Sequence, residues 1–327
     1  MDPSNGDVTR EFRMRNASNH PAVGFGTYKC GYLPPSSAQA QTEGDANPSG
    51  AGPSASTIVA SALDVGYRFL DCAQFYNNEA DVGIGIQNSG VPRSELFLAS
   101  KCWTTAIAEG PSAVRSALCD TLDALKTDYV DLYCIHWPVP HGRHVVAYKE
   151  LLKMRDEGLI RSVGVSNYTL EDYDELVTND VAEDDLPLVN QIEVNPLLYR
   201  KKTIEEFQRR GVLIQSYRSL RDGKAFEIPT IVDVANKHGR TAAQVMGRWL
   251  VQKNIVYIPK SVRRDRMEEN IDVFDDFELD DEDVTKLDHL TTDDALETFA
   301  QLYRKCVVRD TQWDGTTDGV RTTFTIH

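Results

Sequence analysis

Apolar residues fall into short, nearly unbroken runs separated by longer stretches in which apolar positions recur every three or four residues. The short runs are Ala22–Phe25, Arg68–Asp71, Leu96–Lys101, Val130–His136, Ser162–Ser166, Val189–Glu193, Val212–Tyr217 and Ile255–Pro259. Continuous rather than alternating hydrophobicity predicts strands covered on both faces, as in a parallel sheet sheathed by helices. The intervening stretches Thr57–Val65, Glu79–Asn88, Pro111–Leu125, Val145–Glu157, Thr169–Val177, Lys201–Arg210, Thr241–Gln252 and Arg263–Val273 predict helices. Pro111 suits a first helical turn, and Thr241 with Gln244 has capping-box spacing. Gly158 and Gly211 each follow a charged helical end, where a left-handed residue stops the helix. Eight strands alternating with eight helices predict one α/β domain over residues 1–327, a (β/α)8 TIM barrel with a parallel eight-stranded core.

Two regions break the rhythm. Leu33–Ala55 is rich in Ser, Ala, Gly, Pro and Gln and has too few large apolar residues to pack. It is expected to be a flexible insertion between the first strand and first helix, a surface loop or a mobile arm. After Thr291 the chain turns Asp- and Thr-rich, then carries Trp313 and Phe324 among polar residues, a tail suited to covering one mouth of the barrel. The acidic runs Glu171–Asp185 and Asp275–Asp283 are expected to be solvated faces.

Charge narrows the function classes. A net charge of −15 argues against non-specific binding to nucleic acid or to an anionic membrane. No apolar run approaches the roughly 18 residues of a membrane helix. The first residues, with Asp2, Asp7 and Glu11, hold no apolar leader, so a cytoplasmic location is expected. Cys30, Cys72, Cys102, Cys119, Cys134 and Cys306 lack CxxC or metal-ligand spacing and read as reduced thiols, and no metal site is expected.

In such barrels the chemistry gathers at the carboxyl ends of the strands. Here the second predicted strand ends in Asp71, with Tyr76 five residues on; the third ends in Lys101 and the fourth in His136. The fifth ends in Ser166-Asn167, the sixth carries Gln191, the seventh ends in Ser216-Tyr217, and Lys260-Ser261 follow the eighth. Each residue alone has a structural explanation, as a packing tyrosine, a solvated lysine or a helix cap. Four titratable groups around one mouth make a proton-donating site instead. Tyrosine, with an ordinary pKa near 10, is a poor acid unless an adjacent ammonium stabilises its phenolate. Asp71, Lys101 and Tyr76 supply that chain of influence, and His136 can polarise a substrate carbonyl.

These residues sit in stretches that resemble the aldo-keto reductase family. The matching stretches are Gly24-Phe25-Gly26-Thr27-Tyr28, Asp64-Val65-Gly66-Tyr67-Arg68-Phe69-Leu70-Asp71 with Tyr76-Asn77-Asn78-Glu79, and Ser100-Lys101. Further along come Ile135-His136-Trp137-Pro138, Gly164-Val165-Ser166-Asn167-Tyr168, Asn190-Gln191-Ile192-Glu193-Val194-Asn195-Pro196 and Ile258-Pro259-Lys260-Ser261. Together they span roughly Pro21 to Leu290.

The resemblance implies a catalytic tetrad of Asp71, Tyr76, Lys101 and His136, with NADPH extended across the barrel mouth. It implies that Ser166, Asn167 and Gln191 hold the nicotinamide carboxamide and that Tyr217 stacks on its ring. Lys260, Ser261 and Arg266 would hold the 2′-phosphate, with Glu269 and Asn270 near the adenine. Lys260, Arg263, Arg264 and Arg266 form a basic run in an acidic protein, which suits phosphate. Gly83-Ile84-Gly85 lacks the third glycine of a Rossmann fingerprint and reads as packing.

Tyr28 stands where many members have Trp, and with Trp103 and Trp137 it is expected to wall an apolar substrate pocket. The segment after Trp137-Pro138 is short, and Tyr217-Arg218-Ser219-Leu220 replaces the usual Tyr-Ser-Pro-Leu. The expected function is NADPH-dependent reduction of small aldehydes or ketones, with Tyr76 as general acid. Two alternatives stay open: a nucleotide-binding regulatory or structural protein without turnover, and an NAD-linked dehydrogenase.

Overall fold

A computed structural model describes residues 10–31, 52–274 and 277–327. The chain enters through a hairpin of β1 (Glu11–Arg13) and β2 (Asn19–Pro21), paired antiparallel with Phe12 opposite His20. Eight parallel strands follow: β3 (Phe25–Gly26), β4 (Phe69–Asp71), β5 (Phe97–Cys102), β6 (Val130–Ile135), β7 (Ile160–Ser166), β8 (Val189–Glu193), β9 (Leu213–Tyr217) and β10 (Ile255–Tyr257). Their spatial order is their chain order. Closure comes from the chain just before β3: Val23 bridges Tyr257 in parallel, and Gly24 N–H donates to the Tyr257 carbonyl at 2.8 Å. All eight predicted strands are present, and the barrel they predict is the fold.

Helices α1 (Ala55–Val65), α2 (Glu79–Ser89), α3 (Thr104–Glu109), α4 (Pro111–Leu125), α5 (Arg143–Asp156), α6 (Leu170–Thr178) and α7 (Lys201–Arg209) come before β9. After β9 come α8 (Pro229–His238), α9 (Ala242–Gln252), α10 (Arg264–Ile271), α11 (Asp281–Asp288) and α12 (Asp293–Cys306). The Thr241–Gln244 capping box forms in both directions. Gly83 and Gly85 are packing glycines: a Cβ on Gly83 would press into the Ala124 carbonyl of α4, and one on Gly85 into the Ser56 carbonyl of α1. Most of the predicted insertion, residues 33–51, lies outside the described residues; its last residue, Ala55, already begins α1.

The acidic runs are not wholly solvated. Asp172 is buried, closing the α6 capping box with Thr169 and accepting from the Tyr303 hydroxyl at 2.7 Å. Asp283 is buried too, where it pairs with Lys237 at 2.8 Å and His238 at 2.7 Å. For Asp172 the Thr169 backbone N–H at the helix start offsets part of the cost of burial, and for Asp283 the Lys237 and His238 side chains do so.

The tail after Thr291 is also more ordered than its composition predicts. Thr292 caps α12, and the acidic first turn suits the helix dipole. Leu296, Phe299, Ala300 and Tyr303 make one buried face at helical spacing. Burying Leu296 and Phe299 contributes roughly 1.5–3 kcal/mol each. This face packs, with Val307, Val308 and Val320, against Trp103, Trp137 and Leu198, which follow β5, β6 and β8. The tail therefore covers the carboxyl-terminal mouth.

Candidate active site

Asp71 closes β4 and Lys101 lies one residue from the end of β5. After β4 a single 3-10 turn, Gln74–Tyr76, returns Tyr76 over the strand ends, and Asn77, left-handed at φ 53°, redirects the chain into α2. The Asn78 amide anchors this loop by donating to the carbonyls of Thr27 at 2.9 Å and Cys30 at 3.1 Å. Lys101 Nζ then donates to Asp71 Oδ1 at 2.8 Å, to the Cys72 carbonyl at 2.8 Å and to the Tyr76 hydroxyl at 3.1 Å. All three ammonium protons are used. Because the Tyr76 oxygen accepts from Lys101, its own proton is left to be given elsewhere.

Burial pushes the Tyr76 phenol above its ordinary pKa, and the Lys101 charge offsets only part of that effect. Tyr76 is therefore a phenol at neutral pH. Burial alone would lower Lys101, but Asp71 and Tyr76 outweigh it and hold the ammonium above its ordinary value. His136 follows β6, its backbone N–H donating to the Cys102 carbonyl. Burial first, then the Lys101 and Arg309 charges, keep its imidazole well below the usual histidine range and so neutral. Its Nδ1 is buried without a hydrogen-bond partner among the described residues.

Beside this tetrad the sequence-predicted carboxamide residues form one network. Ser166 Oγ donates to the Gln191 carbonyl at 2.8 Å, and Asn167 Nδ2 donates to Ser166 Oγ and to the His136 carbonyl at 3.1 Å each. The Tyr217 hydroxyl donates to Asn167 Oδ1 at 2.8 Å. Gln191 Nε2 reaches Asp71 Oδ1 at 2.8 Å, tying the network to the tetrad. Arg218, beside Tyr217, pairs with Asp222 at 2.6 Å and, with Arg221, with the buried Glu193. Two arginines on one buried carboxylate thus brace the loop after β9.

Lys260, Ser261, Arg266, Glu269 and Asn270 occupy one stretch from the end of β10 into α10. Gly26 N–H donates to the Pro259 carbonyl at 3.0 Å, setting the start of this stretch beside β3. Ser261 and Asn270 are buried, and Lys260 is half-buried. Arg264 is turned away, onto Asp64 at 2.6 Å and Glu268 at 2.9 Å.

Tyr28 lies 5.0 Å from the Tyr76 ring and is stacked on Phe75 at 6.4 Å, and Trp103 also stacks on Phe75, at 4.0 Å. Trp137 packs edge-on to Tyr303 at 6.3 Å. Tyr28 meets Tyr76, Trp103 meets His136 at 4.9 Å, and Phe75 joins the two, whereas Trp137 packs into the cover formed by the tail. Sequence reasoning missed Phe75 and Arg309, whose guanidinium lies over the Phe75 ring at 5.0 Å. The tail is fastened to this wall by Trp103 Nε1 donating to Asp310 at 3.1 Å and Thr104 Oγ1 donating to the Arg309 carbonyl at 2.6 Å. The periodicity of Leu296, Phe299 and Tyr303 was the available signal for this cover.

The aldo/keto reductase family model matches residues 40–292. An aldo-keto reductase of Mycolicibacterium smegmatis is 40% identical over 235 residues, covering 72% of this chain and 83% of that protein. Glyoxal reductase of Bacillus subtilis is 37% identical over 245 residues, covering 75% and 86%. Morphine 6-dehydrogenase of Pseudomonas putida is 38% identical over 250 residues, covering 72% and 82%. Among solved structures, an aldo/keto reductase from Brucella melitensis superposes with a TM-score of 0.73 at 30% identity, covering 86% of this chain and 98% of that one. The aldose reductase of Schistosoma japonicum gives 0.73 at 31% identity, covering 87% and 93%. The match takes in all four residues of the Asp71–Lys101–Tyr76–His136 cluster: this chain belongs to the aldo/keto reductase family.

Proposed function

We propose that this protein reduces aldehydes or ketones to alcohols with NADPH, and that Tyr76 is the general acid. Family membership supports an oxidoreductase acting on carbonyl compounds, and the relatives named glyoxal reductase and morphine 6-dehydrogenase agree with that class. One observation carries the finer reading: Lys101 spends all three protons on Asp71, Cys72 and Tyr76, which leaves the Tyr76 proton free for a substrate oxygen.

The residues fit a nicotinamide cofactor. Ser166, Asn167 and Gln191 gather amide and hydroxyl groups suited to a carboxamide, beside the Tyr217 ring. Lys260, Ser261 and Arg266 would hold a 2′-phosphate, and Glu269 and Asn270 would face the adenine. When bound, the nicotinamide supplies the hydride. The protein supplies the proton. In the neutral His136 ring, the partnerless Nδ1 is better left as a lone pair than as a buried N–H, so Nε2 carries the hydrogen and can donate to the carbonyl oxygen. Tyr76 Oη gives its proton to that oxygen, and the Lys101 ammonium, held by Asp71, stabilises the phenolate left behind. Burial of Tyr76 and His136 beneath aromatic walls keeps water from the exchange.

Tyr76→Phe is the direct test. It keeps the ring and its packing but removes the proton. Turnover is expected to fall by about 10²–10⁴-fold with NADPH affinity retained. A Phe variant as active as the parent rules out this role.

A further inference from the structure

A buried hydrogen-bond chain crosses the barrel from its amino-terminal plug to the tetrad. His20, on β2, sits against the Phe69 and Phe97 rings at the starts of β4 and β5, at 5.0 and 4.3 Å. Its Nδ1 lies 2.7 Å from the Pro21 carbonyl oxygen. A carbonyl only accepts, so Nδ1 carries the hydrogen. Burial lowers the His20 pKa to about 4, so the ring is neutral in ordinary buffers and Nε2 is a lone pair. Gln215 Nε2, 2.7 Å away, must donate to it.

Each following link inherits that direction. With its nitrogen on His20, Gln215 turns Oε1 toward Gln191, whose Nε2 donates to it at 2.8 Å. The second hydrogen of the same nitrogen goes to Asp71 Oδ1 at 2.8 Å, the oxygen that also accepts from Lys101. The Gln191 oxygen is then the atom left for the rest of the site. None of His20, Gln215, Gln191, Asp71 or Lys101 is more than 3% exposed, so water cannot repair a wrong orientation. Rotating one amide by half a turn forces its neighbour to follow, and a rotated Gln191 would set its oxygen against the Asp71 carboxylate.

We infer that His20, at the closed end of the barrel, is a positioning residue that fixes the amide polarity of Gln191 through Gln215, and so presents the Gln191 oxygen to the carboxamide of a nicotinamide. This rests on the proposed cofactor reading. His20 touches neither substrate nor cofactor; it acts through two glutamines and reaches the tetrad at Asp71.

The test uses His20→Phe, which keeps an aromatic plug, and Gln215→Leu, which removes the middle link. Each is expected to raise the Kd for NADPH by about tenfold, roughly the loss of one good hydrogen bond. Each should leave the Kd for 2′,5′-ADP, which lacks the nicotinamide, unchanged. The double variant should bind NADPH no more weakly than either single one, because both cut the same chain. Equal weakening of both nucleotides, unchanged NADPH binding, or additive losses would overturn the inference. The Gln191 side-chain amide resonances of the nucleotide-free protein give a separate readout, expected to shift in His20→Phe; resonances that stay in place also overturn it. If the unaltered protein binds neither nucleotide, the cofactor reading falls, and these resonances still decide the polarity claim.

Discussion

Replacing Lys101 by Met exposes how far the site depends on one ammonium. The substitution keeps the length of the side chain and removes three hydrogen bonds at once, to Asp71, Cys72 and Tyr76. Asp71 stays buried, with the Gln191 amide still donating to it. Stranding one member of a buried ion pair costs about 3–5 kcal/mol. Turnover should fall further than stability alone explains, because Tyr76 loses the charge that opposes its burial. Losing general acid catalysis of about 10²–10⁴-fold corresponds to roughly 3–5 kcal/mol in the barrier. Urea unfolding gives the first quantity, and the loss of nicotinamide absorbance under saturating cofactor gives the second. A folded Lys101→Met protein with an unchanged kcat would show that proton transfer from Tyr76 does not need the Lys101 charge, whatever its stability.

Arg266→Ala should weaken NADPH binding by roughly tenfold to a hundredfold, the worth of a charge-assisted hydrogen bond, with little change for NADH; equal losses for both would separate Arg266 from the 2′-phosphate. His20 should make the fold acid-sensitive. Its folded pKa of about 4 lies below the 6.5 of an exposed histidine, so between those values the unfolded chain binds the extra proton. Stability contributed by the neutral ring is present above that window and falls as pH drops through it, by up to about 3 kcal/mol. His20→Phe should flatten this part of a pH–stability curve, and an unaltered slope would contradict the assignment. Tyr303→Phe removes a buried hydroxyl that donates to Asp172 and should cost about 1–3 kcal/mol, read as faster proteolysis of the tail; unchanged cleavage would show that the contact does not hold the cover down.

The barrel was legible because its strands are covered on both faces and read as unbroken apolar runs. The tetrad was legible because Asp71, Lys101 and His136 each interrupt such a run at its carboxyl end, or directly after it. The hairpin was not: β1 and β2 have three residues each, too short for any periodicity, and the role of His20 depends on Gln215, far away in the chain. The tail was expected to cover one mouth, but its helix and its docking partners were not foreseen. Leu296, Phe299 and Tyr303 carry a readable helical spacing, but their partners Trp103, Trp137 and Leu198 come from three separate loops. Helix α8 was overlooked although Pro229 and Gly239 bracket it and Ile231, Val234 and Ala235 mark its buried face.

Arg200 shows the same limit at a single residue. It precedes α7, and from sequence it passes for a solvated charge. In the structure it is buried under the Phe299 ring at 4.0 Å, its guanidinium nitrogens lack hydrogen-bond partners among the described residues, and burial brings its pKa down to about 10. Only the docking of α12 puts it there.

Carbonyl reduction is read plainly by adding a panel of aldehydes and ketones to purified protein with NADPH and following the nicotinamide absorbance. Carbonyl-dependent consumption of NADPH is expected, with one equivalent of alcohol formed for each equivalent oxidised. Tight NADPH binding with no consumption on any carbonyl would contradict it.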